Sequence, residues 1–280
     1  MTTGSIHRLA AFSTQPSGGN PAGVWIGGQL PDPEIMHRIA AEVGYSETAF
    51  VAPSRGSHRT IRYFSPEIEV PFCGHATIAA GAVMGETDGD GIFRLSTSVG
   101  VVDVSVRNCG GYREASLTSV EPRSSPASQP LISEALLALR WSRGDLDDSI
   151  PPAKAYAGSW HLVIAVATAE RLARLNYDFE RLKSFMLREG LLTLQLVWRE
   201  SPKIFQSRNP FPVGGVIEDP ATGSAAAALG GYLRSVGLVS PPARLMIHQG
   251  QAIGRPSQIV VDIPMTGGIV VTGAAVRIES

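Results

Sequence analysis

The segment IEVPFCGHATIAAG at 68–81 returns as IEDPATGSAAAALG at 217–230. Seven of the fourteen aligned positions are identical: Ile, Glu, Pro, Gly, Ala, Ala and Gly. In a chain that is 44% hydrophobic and holds 30 glycines, some Ala and Gly matches are cheap. The shared Ile-Glu-x-Pro-x-x-Gly frame is not explained by composition, and self-similarity at a fixed offset is the mark of a duplicated unit. The repeat restricts the chain to two related halves, each carrying a strand, a tight turn and a buried helix.

A length of 280 residues suits two such halves, each large enough to bury its own core. A net charge of -1 with only 18% charged residues argues against nucleic acid or an acidic membrane surface as partner. No apolar run approaches the roughly 18–20 residues of a membrane span, and the N-terminal stretch lacks a charged segment followed by an apolar one, so a cytoplasmic protein is expected. Cys73 and Cys109 are too few for a disulfide framework. No Cys-x-x-Cys or His-x-x-x-His spacing points to zinc, and no metal is expected.

Short runs rich in β-branched residues are strand candidates at 6–12, 22–27, 48–52, 60–64, 100–106, 162–168, 192–198, 258–263 and 268–278. Helical candidates are fewer. In PDPEIMHRIAAEVG, Asp32 stands as a cap, Pro33 in the first turn, Ile35, Ile39 and Val43 at helical spacing, and Gly44 as the stop. Asp178 to Gly190 reads the same way, and Ala-rich helices begin near 75 and 223. Strands outnumber helices, so the fold class is α+β. The segment 121–130, EPRSSPASQP, reads as the linker, dividing a half at 1–121 from a half at 122–280. The last strand, about 268–278, is expected to pack back on the N-terminal half.

In both copies of the repeat a Pro and a Gly bracket a helix start, and the residue after the Gly is polar: His75 in one, Ser224 in the other. The first turn of a helix has unpaired N–H groups and the positive end of the macrodipole. Gly74-His75 and Thr222-Gly223-Ser224 are therefore natural holders of a carboxylate or oxyanion, and Gly lets a ligand approach the backbone. The plainer reading makes Cys73 and Thr222 helix caps and the alanines packing residues. Asp219 either satisfies the helix dipole or faces a substrate amine or hydroxyl. Glu218 matches Glu69 in the other copy, which assigns that glutamate to the scaffold. Glu47, between the stop at Gly44 and an apolar strand, can be partly desolvated and so suited to moving protons, or be an exposed strand-start acid. The turn at 18–21, with Asn20, precedes a strand. A Ser224/His75/Asp219 hydrolase is conceivable from residue types, but Ser224 lacks the Gly-x-Ser-x-Gly elbow.

Five separated motifs, GNPAGVW (19–25), YSETAFV (45–51), RYFSPEIEVPFCGHAT (62–77), EDPATGSAAAAL (218–229) and HQGQAIGRPSQI (248–259), resemble the PhzF-like family, named for the phenazine-biosynthesis isomerase. The resemblance spans nearly the whole chain. It implies two pseudo-symmetric domains of the diaminopimelate-epimerase type, each a curved mixed β-sheet around a central helix, with an active site in the cleft between them. It also implies a cofactor-independent enzyme, usually a homodimer, in which the glutamate of Ser-Glu-Thr, here Glu47, shuttles a proton. Carried over by motif, His75, Asp219 and Ser224 surround the substrate, with Asn20, Gly74, Thr222 and Gly223 lining it. The expected reaction moves a proton between carbons of a small carboxylate-bearing metabolite, of the trans-2,3-dihydro-3-hydroxyanthranilate isomerase type. Cys73, and Pro220 after Asp219, depart from the phenazine isomerase proper, where small residues stand. The alternatives are an amino-acid racemase or epimerase of the same fold, which would need a second thiol where Thr222 stands, and a non-catalytic small-molecule-binding relative.

Overall fold

A computed structural model describes residues 4–53 and 58–279. The chain divides into two compact units, Met1–Thr118 with Thr272–Ser280, and Ser119–Val271.

The first unit runs β1 (Gly4–Ala11), β2 (Asn20–Gly27), α1 (Pro33–Val43), β3 (Glu47–Pro53), β4 (His58–Phe64), a short β5 (Glu69–Val70), α2 (Gly74–Asp88), β6 (Gly91–Thr97), β7 (Gly100–Asn108) and β8 (Arg113–Thr118). The strands pair in the order β1-β2-β3-β4-β6-β7-β8, and the C-terminal strand, Val270–Arg277, pairs with both β8 and β1. Leu9 stands opposite Arg277 and Ala11 opposite Ala275. The curved sheet expected here is a closed barrel, because the last strand of the chain fills the gap between its two edges. Closure removes the two outer edges that an open sheet of these strands would present.

Helix α2 packs against β1, β2, β3, β7 and β8. Every residue from His75 to Gly85 is buried, as in a helix surrounded on all faces. Small residues set how closely it approaches the wall: a Cβ on Gly81 would stand 3.0 Å from Val104 Cγ1, and one on Gly85 2.6 Å from Val106 Cγ1. Helix α1 begins and ends where its signals put it, with Pro33 at the first position and Gly44 in the left-handed region at φ 72°. Asp32 occupies the cap position, but its side chain makes no capping bond. The expected stripe of Ile35, Ile39 and Val43 is also displaced. Met36 and Ala40 are the buried residues, with Ile39 partly buried against the Trp25, Phe50 and Phe64 cluster.

The second unit holds β9 (Arg123–Pro126), α3 (Gln129–Leu139), β10 (Ala153–Tyr156), β11 (Trp160–Ala165), α4 (Ala169–Ala173), α5 (Phe179–Glu189), β12 (Thr193–Ser201), β13 (Ile204–Arg208), β14 (Pro210–Phe211), β15 (Val216–Glu218), α6 (Gly223–Ser235), β16 (Ala243–Gln249) and β17 (Ser257–Ile263); the C-terminal strand is then β18. Its main sheet follows the order β17-β16-β13-β12-β11-β10-β9, and β14 with β15 forms a separate ribbon. The 121–130 segment is not a linker. Arg123–Pro126 pairs along β10, and Ser128 caps α3 by accepting the Leu131 N–H. Its Ser and Pro residues suit a short edge strand, where a missing donor is tolerated.

Both units repeat one pairing rule. In the first, β2–β3 and β4–β6 are parallel pairs bracketing α1 and α2, and β3–β4 and β6–β7 are antiparallel. In the second, β11–β12 and β13–β16 are parallel pairs bracketing α4 with α5, and α6, while β12–β13 and β16–β17 are antiparallel. The result is a mixed, sheet-rich fold with few helices. In the second unit α3 and α5 build a core with Leu162, Ile164, Leu194 and Leu196. Helix α6 lies against β9, β10, β11, β12 and β17. At Gly230, the counterpart of Gly81, a Cβ would stand 2.9 Å from Val261 Cγ1.

Candidate active site

The polar groups of the first unit meet at the start of α2. Glu47 is the first residue of β3, just after the left-handed stop at Gly44, and Ala22 of β2 is its register partner. His75 is the second residue of α2. Its Nε2 lies 3.3 Å from Glu47 Oε2 and 3.4 Å from Ser46 Oγ. The His75 side chain is 9% exposed and that of Glu47 18%, so the pair is largely withdrawn from water yet reachable from the Glu47 side.

Cys73 also joins this cluster. It occupies the cap position of α2, but its side chain does not cap the helix, against the reading that made it a cap. Sγ stands 3.3 Å from His75 Nδ1 and 3.8 Å from Nε2. A sulfur on the in-plane axis of one ring nitrogen would be much farther from the other, so the thiol lies beside the ring. The backbone of Cys73 is fixed from within the barrel: its carbonyl accepts the Thr77 hydroxyl at 2.6 Å, and that hydroxyl is 2.7 Å from the buried Tyr63 phenol. Burial pushes the Tyr63 phenol far above its ordinary range, so it stays neutral and serves as a prop.

In the second unit Asp219, Thr222 and Gln249 form the corresponding knot ahead of α6. The Thr222 hydroxyl donates to Asp219 Oδ2 at 2.6 Å, so it too is not a helix cap. The Gln249 side-chain amide donates to the Asp219 carbonyl at 2.7 Å and to Thr222 Oγ1 at 3.0 Å, and Gln249 Oε1 accepts the Thr222 N–H at 3.3 Å. Gly250 follows at φ 81°; a Cβ there would stand 2.2 Å from the Arg255 carbonyl oxygen and 2.7 Å from that of Pro220. Ser224 is the second residue of α6 and partly buried, at the position His75 holds in α2.

Gln249 is the residue that reading for chemistry passed over. Its motif was visible, HQGQAIGRPSQI, but nothing in the sequence showed that its amide holds the turn carrying Asp219. A second omission lies beneath it. His161, Thr193, Gln195, Ser207 and Asn209 form a buried polar layer: Thr193 Oγ1 is 2.8 Å from His161 Nδ1, Asn209 Nδ2 donates to Gln195 Oε1 at 2.6 Å, and Ser207 donates to Asn209 Oδ1 at 2.8 Å. The Asp219 N–H donates to the Asn209 carbonyl at 3.0 Å, tying the layer to the turn.

The repeated glutamates are structural. Glu69 accepts both nitrogens of the Arg62 fork at 2.7 and 2.5 Å, and Arg62 holds its carboxyl below the usual range. Glu218 is bound by the Arg208 fork, through Nε at 3.0 Å and through Nη2. Bidentate pairs of this kind fix geometry as well as charge.

The remaining expected positions divide by surroundings. Asn20 opens β2 opposite Ala11 and is buried. Gly74 is the first residue of α2, and a Cβ on it would meet nothing within 4 Å, so packing does not require glycine there. A donor-rich helix start with open space in front of it can receive an anionic group.

No helix among the described residues is long and apolar enough to cross a membrane. Residues 9–280 match the PhzC-PhzF family, described as phenazine biosynthesis-like protein. An isomerase of Deinococcus radiodurans is 32% identical over 92% of this chain and 86% of its own length. The trans-2,3-dihydro-3-hydroxyanthranilate isomerase of Pseudomonas fluorescens is 32% identical over 89% of this chain and 86% of its own. Among solved structures, a PhzF-family phenazine biosynthesis protein of Bacillus anthracis superimposes with a TM-score of 0.87 at 24% identity, covering 100% of this chain and 98% of that one. A hydroxyproline epimerase from Agrobacterium vitis shares the fold at a TM-score of 0.67 and 14% identity, over 99% and 92% of the two chains. The chain thus belongs to the phenazine biosynthesis-like family and is an isomerase of that family.

Proposed function

We propose that this isomerase moves a proton between carbons of a small carboxylate-bearing metabolite, with Glu47 as the group that takes the proton and gives it back. The contact between Glu47 and His75 carries the reading. A C–H bond next to an unsaturated or carbonyl-bearing carbon is weakly acidic, so breaking it needs a placed base and donors for the charge that develops. Glu47 is a partly desolvated carboxylate beside an imidazole, at a helix start whose N–H groups favour negative charge. The Glu47 carboxylate accepts the proton, the electron pair shifts into the conjugated system, and the resulting carboxylic acid protonates a different carbon. The net change is a moved double bond, and no electrons leave the substrate.

His75 and Asp219 orient hydroxyl or amino groups of the substrate, and Ser224 with the first-turn amides of α6 holds its carboxylate. That the two half-sites serve one substrate rests on the sequence repeat and on the family. The Pseudomonas fluorescens relative names the reaction type, and its substrate is the first compound to try. A racemase of the same fold needs a second group able to move a proton on the opposite face of one carbon. Thr222 stands where that group would be, and its hydroxyl is committed to the Asp219 carboxylate.

The test is exchange in deuterated water, followed by NMR, with trans-2,3-dihydro-3-hydroxyanthranilate and a panel of small unsaturated amino and hydroxy acids. Label is expected at carbon with the wild-type chain and not with Glu47→Gln. Equal labelling by both proteins, or none across the panel, defeats the reading.

A further inference from the structure

Glu47, Cys73 and His75 each offer one ligand atom, and those atoms lie within 4.8 Å of one another. We propose that the three form a binding site for a divalent cation of the zinc class, and that filling it takes the Glu47 carboxylate out of proton transfer. Linear spacing could not reveal the site, because Glu47 comes from β3 while Cys73 and His75 come from the start of α2.

The donor set is the first argument. A thiolate, an imidazole and a carboxylate are the three ligand types that zinc takes, and three protein ligands with an open fourth position is the arrangement of a site exposed to exchangeable water. The distances are the second. Bonds of about 2.0–2.3 Å in a tetrahedron hold their ligand atoms roughly 3.3–3.6 Å apart. His75 Nε2 is 3.3 Å from Glu47 Oε2 and 3.8 Å from Cys73 Sγ. The sulfur stands beside the ring, so binding requires the Cys73 side chain to turn toward the open side of Nε2. Burial is the third: Cys73 and His75 are each 8% exposed, so a cation displaces little bound water there, while the more open Glu47 supplies the entry. The Tyr63–Thr77–Cys73 carbonyl chain holds the cap residue's backbone still, which lowers the ordering cost of closing the site.

Metal binding releases the thiol proton to solvent and forms bonds to sulfur, nitrogen and oxygen with no change of oxidation state. A bound cation occupies the lone pairs that Glu47 would use as a base, so the expected consequence is inhibition.

The experiment titrates zinc chloride into the purified, chelator-treated full chain by calorimetry, and cobalt(II) into the same protein by absorption. One zinc per chain and a thiolate-to-cobalt charge-transfer band are expected. Cys73→Ser should abolish the band and weaken zinc by more than about tenfold. In the wild-type chain, zinc should slow iodoacetamide alkylation of Cys73 and leave Cys109 unchanged, as read by peptide mass mapping; this measurement stands even if a variant does not fold. Unchanged zinc affinity in Cys73→Ser, or equal alkylation of Cys73 with and without zinc, overturns the proposal. None of these readouts uses a substrate, so failure of the isomerase reading and failure of the metal site are told apart.

Discussion

Nε2 of His75 lies 3.3 Å from Oε2 of Glu47, joining a strand-start acid to a helix-start imidazole 28 residues further along the chain. The contact is what supports Glu47 as the proposed base, a choice that sequence pattern alone left open. Glu47→Gln keeps the shape and removes the proposed base. The exchange rate in deuterated water should fall by about 100-fold or more, the usual worth of a placed acid–base group. His75→Asn should reduce the rate less, since in the proposed reaction the imidazole orients where the carboxylate reacts. A smaller loss in Glu47→Gln than in His75→Asn would reverse the two roles.

Much of this arrangement was legible before the structure. The repeat located both helix starts and assigned a buried helix to each half. Strands with strong alternation or β-branched runs, such as QIVVDI at 258–263, were clear. The missed strands lack that signal. Arg123–Pro126 carries two serines and a proline and is held by pairing with β10 and by the cover of α6, so its tertiary context overrides its composition. The polar layer was hidden for a related reason. In LTLQLVW, Thr193 and Gln195 share one strand face while Leu194 and Leu196 share the other, but only the structure shows that the polar face is also buried.

Gln249 should be costly to remove. Its amide satisfies the Asp219 carbonyl, the Thr222 N–H and the Thr222 hydroxyl, all in a buried turn. In Gln249→Leu the Asp219 carbonyl and the Thr222 N–H lose this partner, while the Thr222 hydroxyl keeps its bond to Asp219, and a buried group left unsatisfied costs about 1–3 kcal/mol. Urea denaturation should show that loss, and the exchange assay a further fall in rate from the displaced Asp219. Wild-type stability in Gln249→Leu would mean the turn is held by other contacts.

His161 makes stability depend on pH. Complete burial pushes its imidazole down to about 3, against an ordinary value of 6.5. Between those values the unfolded chain binds a proton that the folded chain does not, so the contribution is full above about 6.5 and is lost as pH falls toward 3. From pH 7 to pH 5 the loss should be roughly 2 kcal/mol for this residue alone. Denaturation curves for His161→Gln at the two pH values should differ from each other by that much less than those of the wild type. An unchanged difference would assign the pH dependence to other groups.

Gly85 and Gly74 lie on the same helix and should respond to alanine in opposite ways. Alanine is the better helix former by about 1 kcal/mol. At Gly85 its Cβ would stand 2.6 Å from the γ-methyl of Val106, a stiff β-branched residue in the barrel wall, and overpacking of that kind costs about 1–3 kcal/mol. Gly85→Ala should therefore lower the denaturation midpoint. At Gly74 the Cβ meets no protein atom within 4 Å, so Gly74→Ala should leave stability unchanged or slightly raised. If the open space before α2 receives the substrate, that same methyl group should slow exchange and weaken competition by small carboxylates. A Gly74→Ala chain with full exchange activity would place the substrate away from the start of α2, and one with a lowered midpoint would give this glycine a structural role instead.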